Sequence, residues 1–460
     1  MAPSRALRTP AAQMAAGMMV LAASGYAFVV LAGRALPKDQ ATLATSVYFL
    51  VNVVGPGVFF ALEQVASRTT AAALATGGEL GLVARRAYRS GLKLLAAEMV
   101  GLGALAPLLG AKTLHGDWPL YGVVLAMPVI SVHLHLGRGR LAGMRRFGGY
   151  AVTLAAEGGG RVVLCLAAAA AGASSAWLLG LAYVLPSALA AGFGLLAAHR
   201  DAQHSPAHAT PAAFPPASVT AADPLPASTA PVSAAPAGTM GSVADLGQNI
   251  AALALASLFS QLLPNIAPLA VNSRLPVSSA TALAFSQAAV VARIPLLLFQ
   301  PIQAMILPGL SAAAARGNLG AVRARSRQVL AVTSGIGLAG AVGFVLLGSW
   351  VLKTFFGTTA PASMAVLLML ALSTVVLMVA YTIQPALVAV GGDHWVMAGW
   401  VAGSVLTGTL ALLPYSPVLA AAVGQLVGPA LTAAVLCRAL VIRLRRPPAP
   451  TNRRLSARAL

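Results

Sequence analysis

The chain has 460 residues, of which 58% are hydrophobic and only 9% are charged. A soluble domain carries about 25% charged residues, so this composition excludes an ordinary soluble protein. The formal net charge is +20. The basic residues lie in the gaps between apolar stretches, which is typical of membrane topology and excludes a nucleic-acid partner.

Twelve apolar stretches follow one another along the chain, and each has about the length that crosses a bilayer as a helix. Barrel strands would instead alternate polar and apolar residues. The sequence therefore predicts an all-α polytopic membrane protein with about twelve transmembrane helices in two six-helix lobes. The predicted spans are 12–33, 41–66, 92–110, 119–137, 149–171, 177–198, 246–271, 279–307, 329–352, 363–390, 395–413 and 417–441.

The positive residues predict the orientation of these spans. With the N-terminus inside, 23 lysines and arginines fall in inner segments, five in outer loops, and two, Arg161 and Arg293, within spans. This bias predicts that both termini are cytoplasmic and that the number of spans is even. The first apolar run is longer than the core of a signal peptide, so we expect it to be a retained span.

The composition divides the chain into four parts. Residues 1–198 are predicted to form an N-terminal six-helix lobe, 244–441 a C-terminal six-helix lobe, and 442–460 a basic cytoplasmic tail. Between the lobes, 199–243 is rich in Pro, Ala and Ser and is predicted to be a disordered linker. Its histidines, His199, His204 and His208, have no carboxylates in a fixed geometry, so we expect no metal site there.

The two halves show signs of an internal repeat. Leu36-Pro37 and Leu275-Pro276 lie 239 residues apart, and an arginine, Arg34 or Arg274, precedes each pair closely. The same offset relates Ala41-Thr42 to Ala280-Thr281 and Gln64 to Gln303. Transporters are commonly built from such repeats, with the substrate path between them. Chance similarity is the alternative interpretation.

Several short motifs resemble one family. Gly33–Pro37 and the span ending in Leu62–Arg68 resemble the start of polysaccharide-biosynthesis flippases, the oligosaccharidyl-lipid branch of the multidrug/oligosaccharidyl-lipid/polysaccharide exporter (MOP) superfamily. Ala292–Phe299, Leu307–Ser311 and a short arginine-rich helix over Arg316–Arg327 are similar to the eighth span and following loop of that family. The related lipid II flippases typically have fourteen spans, for which this chain has no room.

This resemblance implies a fold and a function. Such flippases move saccharides linked to polyprenyl diphosphate from the inner to the outer leaflet of the bacterial cytoplasmic membrane, for cell-surface glycan synthesis. They are thought to rock two six-helix lobes around a V-shaped cavity, and they perform no covalent chemistry and need no cofactor. The resemblance thus implies membrane lipids, a lipid-linked saccharide and glycan-synthesis proteins as partners.

Charged residues within spans are candidates for substrate binding, because a charge costs at least about 2.5–3.5 kcal/mol at mid-membrane. Glu157 and Arg161 lie four residues apart on one helix face and can pair. They either stabilise the span or face a cavity in which the arginine binds a diphosphate. Arg293 has no acidic residue within four positions and precedes Pro295. It either binds an anionic ligand or extends toward the membrane surface.

Uncharged polar residues add to this predicted site. Gln261, Asn265, Gln287 and Gln303 are candidates for binding sugar hydroxyls, with hydrogen bonding between helices as the alternative. Glu63 and Glu98 are candidates for ion coupling, although an interfacial pair with Arg68 is the other interpretation of Glu63. His133 and His135 do not share a helix face and are assigned no role.

Three functions fit a chain of this kind. The first is a flippase for a lipid-linked oligosaccharide or polysaccharide precursor, and the second is a multidrug and cation antiporter from another branch of the superfamily. An antiporter needs acidic residues in its cavity, whereas this chain has only ten in total. The third is a membrane-embedded glycan polymerase or ligase, which would need a large outer loop with catalytic residues. The outer loops here are short and contain only two acids, so we predict a transporter rather than an enzyme.

Overall fold

A computed structural model describes residues 10–203, 243–297, 299, 319–358, 360 and 362–445. Regular structure in these ranges is entirely helical. The helices are α1 (Pro10–Ala35), α2 (Lys38–Val54), α3 (Phe59–Thr76), α4 (Leu80–Ala106), a π-helix (Pro107–Thr113), α5 (Trp118–Gly143), α6 (Phe147–Ala170), α7 (Ala176–Gln203), α8 (Val243–Arg274), α9 (Ala280–Val291), α10 (Leu319–Phe356), α11 (Met364–Ala389), α12 (Asp393–Ala411) and α13 (Pro417–Arg445).

Each of the twelve predicted spans coincides with a helix or a pair of helices as far as the structure describes it, and residues 298 and 300–307 of the eighth lie outside the described residues. In the described residues, eleven helical segments are long and apolar enough to cross a membrane. The twelfth predicted span is α12, a shorter helix of 19 residues that packs against α8 and α13. The predicted fold class is therefore confirmed.

Proline explains where three of the spans are interrupted. The second span consists of α2 and α3, which are separated at Pro56, and the third changes to the π-helix at Pro107. In the eighth span α9 ends at Val291, just before Arg293 and Pro295. Proline has no amide hydrogen to donate and its ring clashes with the preceding turn, so the regular helix stops at these positions.

The helices form two lobes that meet along a central interface. In the N-terminal lobe α1 packs against α6, while α5 packs against both α3 and α7. In the C-terminal lobe α13 packs against α11 and α12, and α10 packs against α11. The lobes touch where α2 and α3 meet α8 and where α1 meets α9 and α10. We call the end at which α1 begins and α13 ends the terminal end, and the opposite end the distal end.

Some of the sequence predictions fall elsewhere than expected. The arginine-rich segment was expected to be a short separate helix, but Arg323, Arg325 and Arg327 lie in the first turns of the long helix α10. Helix formers continue without a break into the ninth span there, so the helix has no reason to stop. Gln303, Arg316, the motif at 307–311, the segment 204–242 and the tail from residue 446 lie outside the described residues.

Candidate functional site

Glu157 is the centre of a charged cluster inside the N-terminal lobe. Its side chain on α6 is 3% exposed and lies 2.6 Å from both the Arg161 and the Arg138 guanidinium. Ser187 on α7 donates a third hydrogen bond to the same carboxylate, at 2.8 Å. The pairing of Glu157 with Arg161 that their spacing predicts is therefore present, but a second arginine shares the carboxylate.

Arg161 is held by packed contacts rather than facing lipid. Its guanidinium donates to the hydroxyl of Ser187 at 3.0 Å and to the backbone carbonyl of Tyr183 at 3.2 Å. It also lies 4.3 Å from the centre of the Tyr183 ring, which is a cation–π distance. These contacts saturate most donors of Arg161, so its primary role in this conformation is within the lobe.

A second buried cluster surrounds Glu63 on α3. His135 lies 2.6 Å from one carboxylate oxygen, and the Tyr150 hydroxyl donates to the other at 2.6 Å. All three side chains are buried. The interfacial pair of Glu63 with Arg68 is therefore wrong, because Glu63 points toward α5 and α6 rather than along its own helix. His135, to which the sequence analysis assigned no role, is a direct partner.

Thr153 joins the two clusters. Its hydroxyl accepts a hydrogen bond from Arg138 at 3.0 Å and donates one to the carbonyl of Tyr150 at 2.7 Å. The result is one connected set of side chains across α3, α5, α6 and α7, which we call the polar chain. Its members are Glu63, His135, Arg138, Tyr150, Thr153, Glu157, Arg161, Tyr183 and Ser187.

Arg138 is the member of this chain that the sequence analysis misplaced. The predicted fourth span ends at residue 137, which would place Arg138 in an inner segment. In the structure α5 continues to Gly143, and the Arg138 side chain is buried within the lobe. Gly139 allows this burial, since a Cβ atom there would lie 2.5 Å from the carbonyl oxygen of Glu63 on α3. His135 and Arg138 are three residues apart and so lie on one helix face. This spacing is the sequence feature that indicates a shared polar environment for the two side chains.

Arg293 lies at the interface of the two lobes, directly after α9. It donates to the Asn265 side-chain oxygen at 3.0 Å and to the carbonyl oxygen of Pro264, both on α8. The carbonyl is available because its usual helical donor, four residues later, would be Pro268, which has no amide hydrogen. Pro268 in the seventh predicted span therefore leaves the carbonyl of Pro264 open, and Arg293 in the eighth span donates to it.

The charge of Arg293 is not neutralised by a carboxylate among the described residues. Its contacts are an amide, a carbonyl and the Phe49 ring, whose centre lies 5.6 Å from the guanidinium carbon. Tyr26, Tyr48 and Tyr381 lie close enough to interact with it electrostatically. The side chain is only partly buried. Among the described residues, Arg293 is thus a cation without a carboxylate partner, next to aromatic rings between the lobes.

Aromatic rings connect Arg293 with the polar chain. The ring of Phe49 lies 5.2 Å from that of Tyr48, and Tyr48 lies 6.0 Å from Tyr183, which contacts Arg161. Phe28 packs against Tyr183 at 4.4 Å. The two arginines predicted for the site therefore lie at opposite ends of one continuous aromatic surface.

Hydrogen bonds join the lobes at the distal end. Arg34 at the end of α1 donates to the carbonyls of Thr354 and Phe355 at the end of α10. The Asn272 side chain donates to Ser46 at 2.8 Å, and His115 lies 2.9 Å from the Asn272 carbonyl. We call these contacts the distal seam.

The remaining predicted site residues are distributed over different environments. Gln287 is fully buried beside the distal seam, where it accepts a hydrogen bond from Thr358 at 2.6 Å. Gln261 is partly buried on α8, and its backbone carbonyl accepts a hydrogen bond from the Asn265 side-chain amide at 2.6 Å. Both carboxylate oxygens of Glu98 on α4 are buried and have no hydrogen-bond partner among the described residues, so Glu98 is not part of the polar chain. Among the described residues, no group of side chains is arranged to hold a metal ion.

Comparison with known proteins shows the fold. The sequence matches no family model and no curated protein. In structure, the chain is similar to a multidrug resistance MATE family transporter of the MOP superfamily in its inward-facing conformation, with a TM-score of 0.66, 14% identity, and 93% and 94% of the two chains covered. An outward-facing structure of such a transporter matches with a TM-score of 0.62, 16% identity and coverage of 95% and 97%.

A third match is to a MOP superfamily transporter from Pyrococcus furiosus Vc1, described as having a binding pocket of reverse polarity that suggests a different function. Its TM-score is 0.62 at 16% identity, and the match covers 95% of each chain. These likenesses extend over nearly the whole length of the molecule. The chain thus has the fold of MOP superfamily transporters.

Proposed function

We propose that the protein moves a lipid-linked oligosaccharide or polysaccharide precursor across the bacterial cytoplasmic membrane, and that Arg293 binds its diphosphate. The observation that carries this proposal is the charge of Arg293 at the lobe interface, which no carboxylate of the described residues neutralises. A cation at membrane depth persists only with a partner, a wet cavity or an anionic ligand. Its present partners are neutral, so an anion can take over some of its donors without breaking an ion pair.

The surroundings of Arg293 suit a phosphate attached to an oily chain. A guanidinium binds two phosphate oxygens in parallel, and such charge-assisted bonds are roughly twice as strong as neutral ones. The half-buried Tyr48 ring and, behind it, the buried rings of Phe49 and Phe28 lie next to the charge and would contact an oily chain once the lobes separate. The partly buried amide of Gln261 lies one turn from Asn265 and is available for a sugar hydroxyl.

The carboxylates of the polar chain also argue against a cationic substrate. Glu157 is shared by Arg138 and Arg161, so this cluster carries an excess positive charge. Glu63 is bound by His135 and Tyr150. Both carboxylates are therefore occupied by donors of the protein, which makes them poor binding groups for a cationic drug.

A multidrug or cation antiporter is the second candidate function. Similar structures are described as MATE family multidrug transporters. The observation in its favour is Glu98, whose buried carboxylate has no hydrogen-bond partner in the described part of the chain and could exchange a proton or cation. The two functions differ in the charge of what is carried, and this difference can be measured.

The test reconstitutes the full chain in vesicles and supplies two probes, undecaprenyl diphosphate N-acetylglucosamine and the cation ethidium. We expect the lipid-linked sugar to become accessible on the opposite leaflet, with no ethidium gradient. Arg293→Ala should lower the flipping rate about 10- to 100-fold, the range for a hydrogen-bonded charge, and Arg293→Lys should retain part of it. Arg323→Ala removes an exposed arginine at the terminal end and serves as the control.

Two results would contradict the proposal. One is ethidium transport without movement of the lipid-linked sugar, which would establish the antiporter. The other is full flipping activity in Arg293→Ala. In cells, disruption of the gene should cause a lipid-linked glycan to accumulate on the inner leaflet.

A further inference from the structure

A groove outside the lobe interface lies between α4, α5 and α7 at the terminal end. It has a volume of about 310 Å³. Three arginines line it, Arg85 and Arg89 on α4 and Arg140 on α5, together with Tyr88. Its apolar floor is formed by Ala84, Leu136 and Leu195. None of these residues belongs to the polar chain or contacts Arg293.

The arginines of this groove are largely free to bind an anion. Arg89 has no hydrogen bond or ion pair with any described residue. Arg85 lies 3.6 Å from Glu79, but both side chains are 70% exposed, so this pair contributes little. Arg140 makes only a long contact, 3.5 Å, to the carbonyl of Ala198. Three guanidinium groups thus line one apolar depression, and no buried carboxylate of the described ranges neutralises them.

The groove continues into a surface that faces lipid. Beyond Tyr88, the same side of α4 continues at helical spacing through Leu92, Ala96, Met99 and Gly103, which are exposed or half-buried. An acyl chain that leaves the groove would therefore run along apolar side chains, whereas a free phosphate would gain nothing from them. Arg85 and Arg89 lie one helical turn apart, at the level where phospholipid headgroups are expected.

We propose that this groove binds the headgroup of an anionic phospholipid of the leaflet at the terminal end, with the lipid's acyl chains along α4. Arg89 and Arg140 hold the phosphate from two sides, and Leu136 and Leu195 contact the start of the chains. The lipid would tie α4 to α5 and α7, three helices that belong to one lobe. The site is independent of the substrate proposed above.

The test is native mass spectrometry of the full-length protein in detergent with equal amounts of phosphatidylglycerol and phosphatidylcholine. We expect phosphatidylglycerol to bind preferentially, and each arginine removed from the groove to lower its affinity about fivefold. The variants are Arg89→Ala alone and the triple Arg85→Ala/Arg89→Ala/Arg140→Ala. Ala84→Trp fills the groove with all charges intact and should also weaken binding.

The matched control is the triple Arg323→Ala/Arg325→Ala/Arg327→Ala, which removes the same charge from exposed positions at the same end of the molecule. An equal loss in this control would mean general electrostatic attraction and overturn the site. Displacement of phosphatidylglycerol by inorganic pyrophosphate would overturn it in favour of a free anion. Equal binding of phosphatidylcholine would overturn the requirement for an anionic headgroup.

Discussion

In the N-terminal lobe, α3, α5, α6 and α7 meet at the buried polar chain, whereas in the C-terminal lobe α12 and α13 meet along small residues. Gly399, Gly403 and Thr407 on α12 face Gly424, Gly428 and Thr432 on α13, each set at four-residue spacing. Thr432 lies 3.0 Å from the Gly399 carbonyl and Thr407 lies 3.2 Å from that of Gly424. We call these six residues the glycine–threonine seam.

The two lobes thus illustrate two ways to hold helices together where lipid removes the hydrophobic driving force. Ion pairs give strong, directional contacts but leave a costly charge if one partner is lost. Close backbone packing gives many weak contacts and fails when volume is added. Among the described residues, fully buried charged side chains occur only in the N-terminal lobe. The two lobes should therefore respond differently to substitution.

Removing Glu157 should have the largest effect. Glu157→Ala leaves Arg138 and Arg161 buried without a counter-charge, so we expect the free energy of unfolding to fall by about 3–5 kcal/mol. Thermal unfolding of the purified protein in detergent measures this loss. Glu79→Ala, which removes an exposed carboxylate paired with Arg85, is the control and should change stability by less than about 1 kcal/mol. Equal effects of the two would mean that the polar chain does not hold the lobe together.

In the C-terminal lobe the corresponding substitution adds volume. A Cβ atom at Gly424 would lie 2.7 Å from the carbonyl oxygen of Thr407. Gly424→Ala should therefore destabilise the protein by about 1–3 kcal/mol through overpacking. Gly408→Ala on α12 meets open space and should be neutral or slightly stabilising. A neutral Gly424→Ala would contradict the close packing of the seam.

A smaller loss is expected at the other end of the polar chain. Glu63→Ala leaves the Tyr150 hydroxyl and His135 without their acceptor, which should cost about 1–3 kcal/mol. The neighbouring Gln64→Ala removes an amide whose oxygen has no hydrogen-bond partner, so it should cost less. The same unfolding measurement ranks the two variants, and the reverse order would refute the assignment of Glu63.

The smallest effect on stability is expected at the distal seam, where the readout is conformational. Arg34→Ala removes hydrogen bonds between the lobes and should increase maleimide labelling of a cysteine placed at Ser46. Arg274, the arginine before the Leu-Pro pair of the second half, donates to Ala411 and Tyr415 within the C-terminal lobe. Arg274→Ala should therefore leave this labelling unchanged. Equal labelling in both variants would show that Arg34 does not hold the lobes together.

Arg34 and Arg274 occupy similar sequence surroundings, two residues and one residue before a Leu-Pro pair, but make different contacts. Both precede a Leu-Pro pair, and both donate to carbonyls at the end of another helix. The sequence contains no sign that one of them crosses to the other lobe, because that depends on which helix end lies beside it. The same limit applies to Gln287, whose polarity predicted a sugar site but which is buried by α1 and α10 at the seam.

Sequence alone determined the number of spans, their positions as far as the structure describes them, and the pairing of Glu157 with Arg161. These features depend on length, hydropathy and spacing within one helix, which are local properties of the chain. Tertiary structure alone decided that Arg138 shares Glu157, that His135 and Tyr150 bind Glu63, and that Arg293 uses the carbonyl left open before Pro268. Such contacts join different helices. They depend on how each helix is rotated about its own axis, and packing between helices sets this rotation, which the hydropathy of the sequence does not contain.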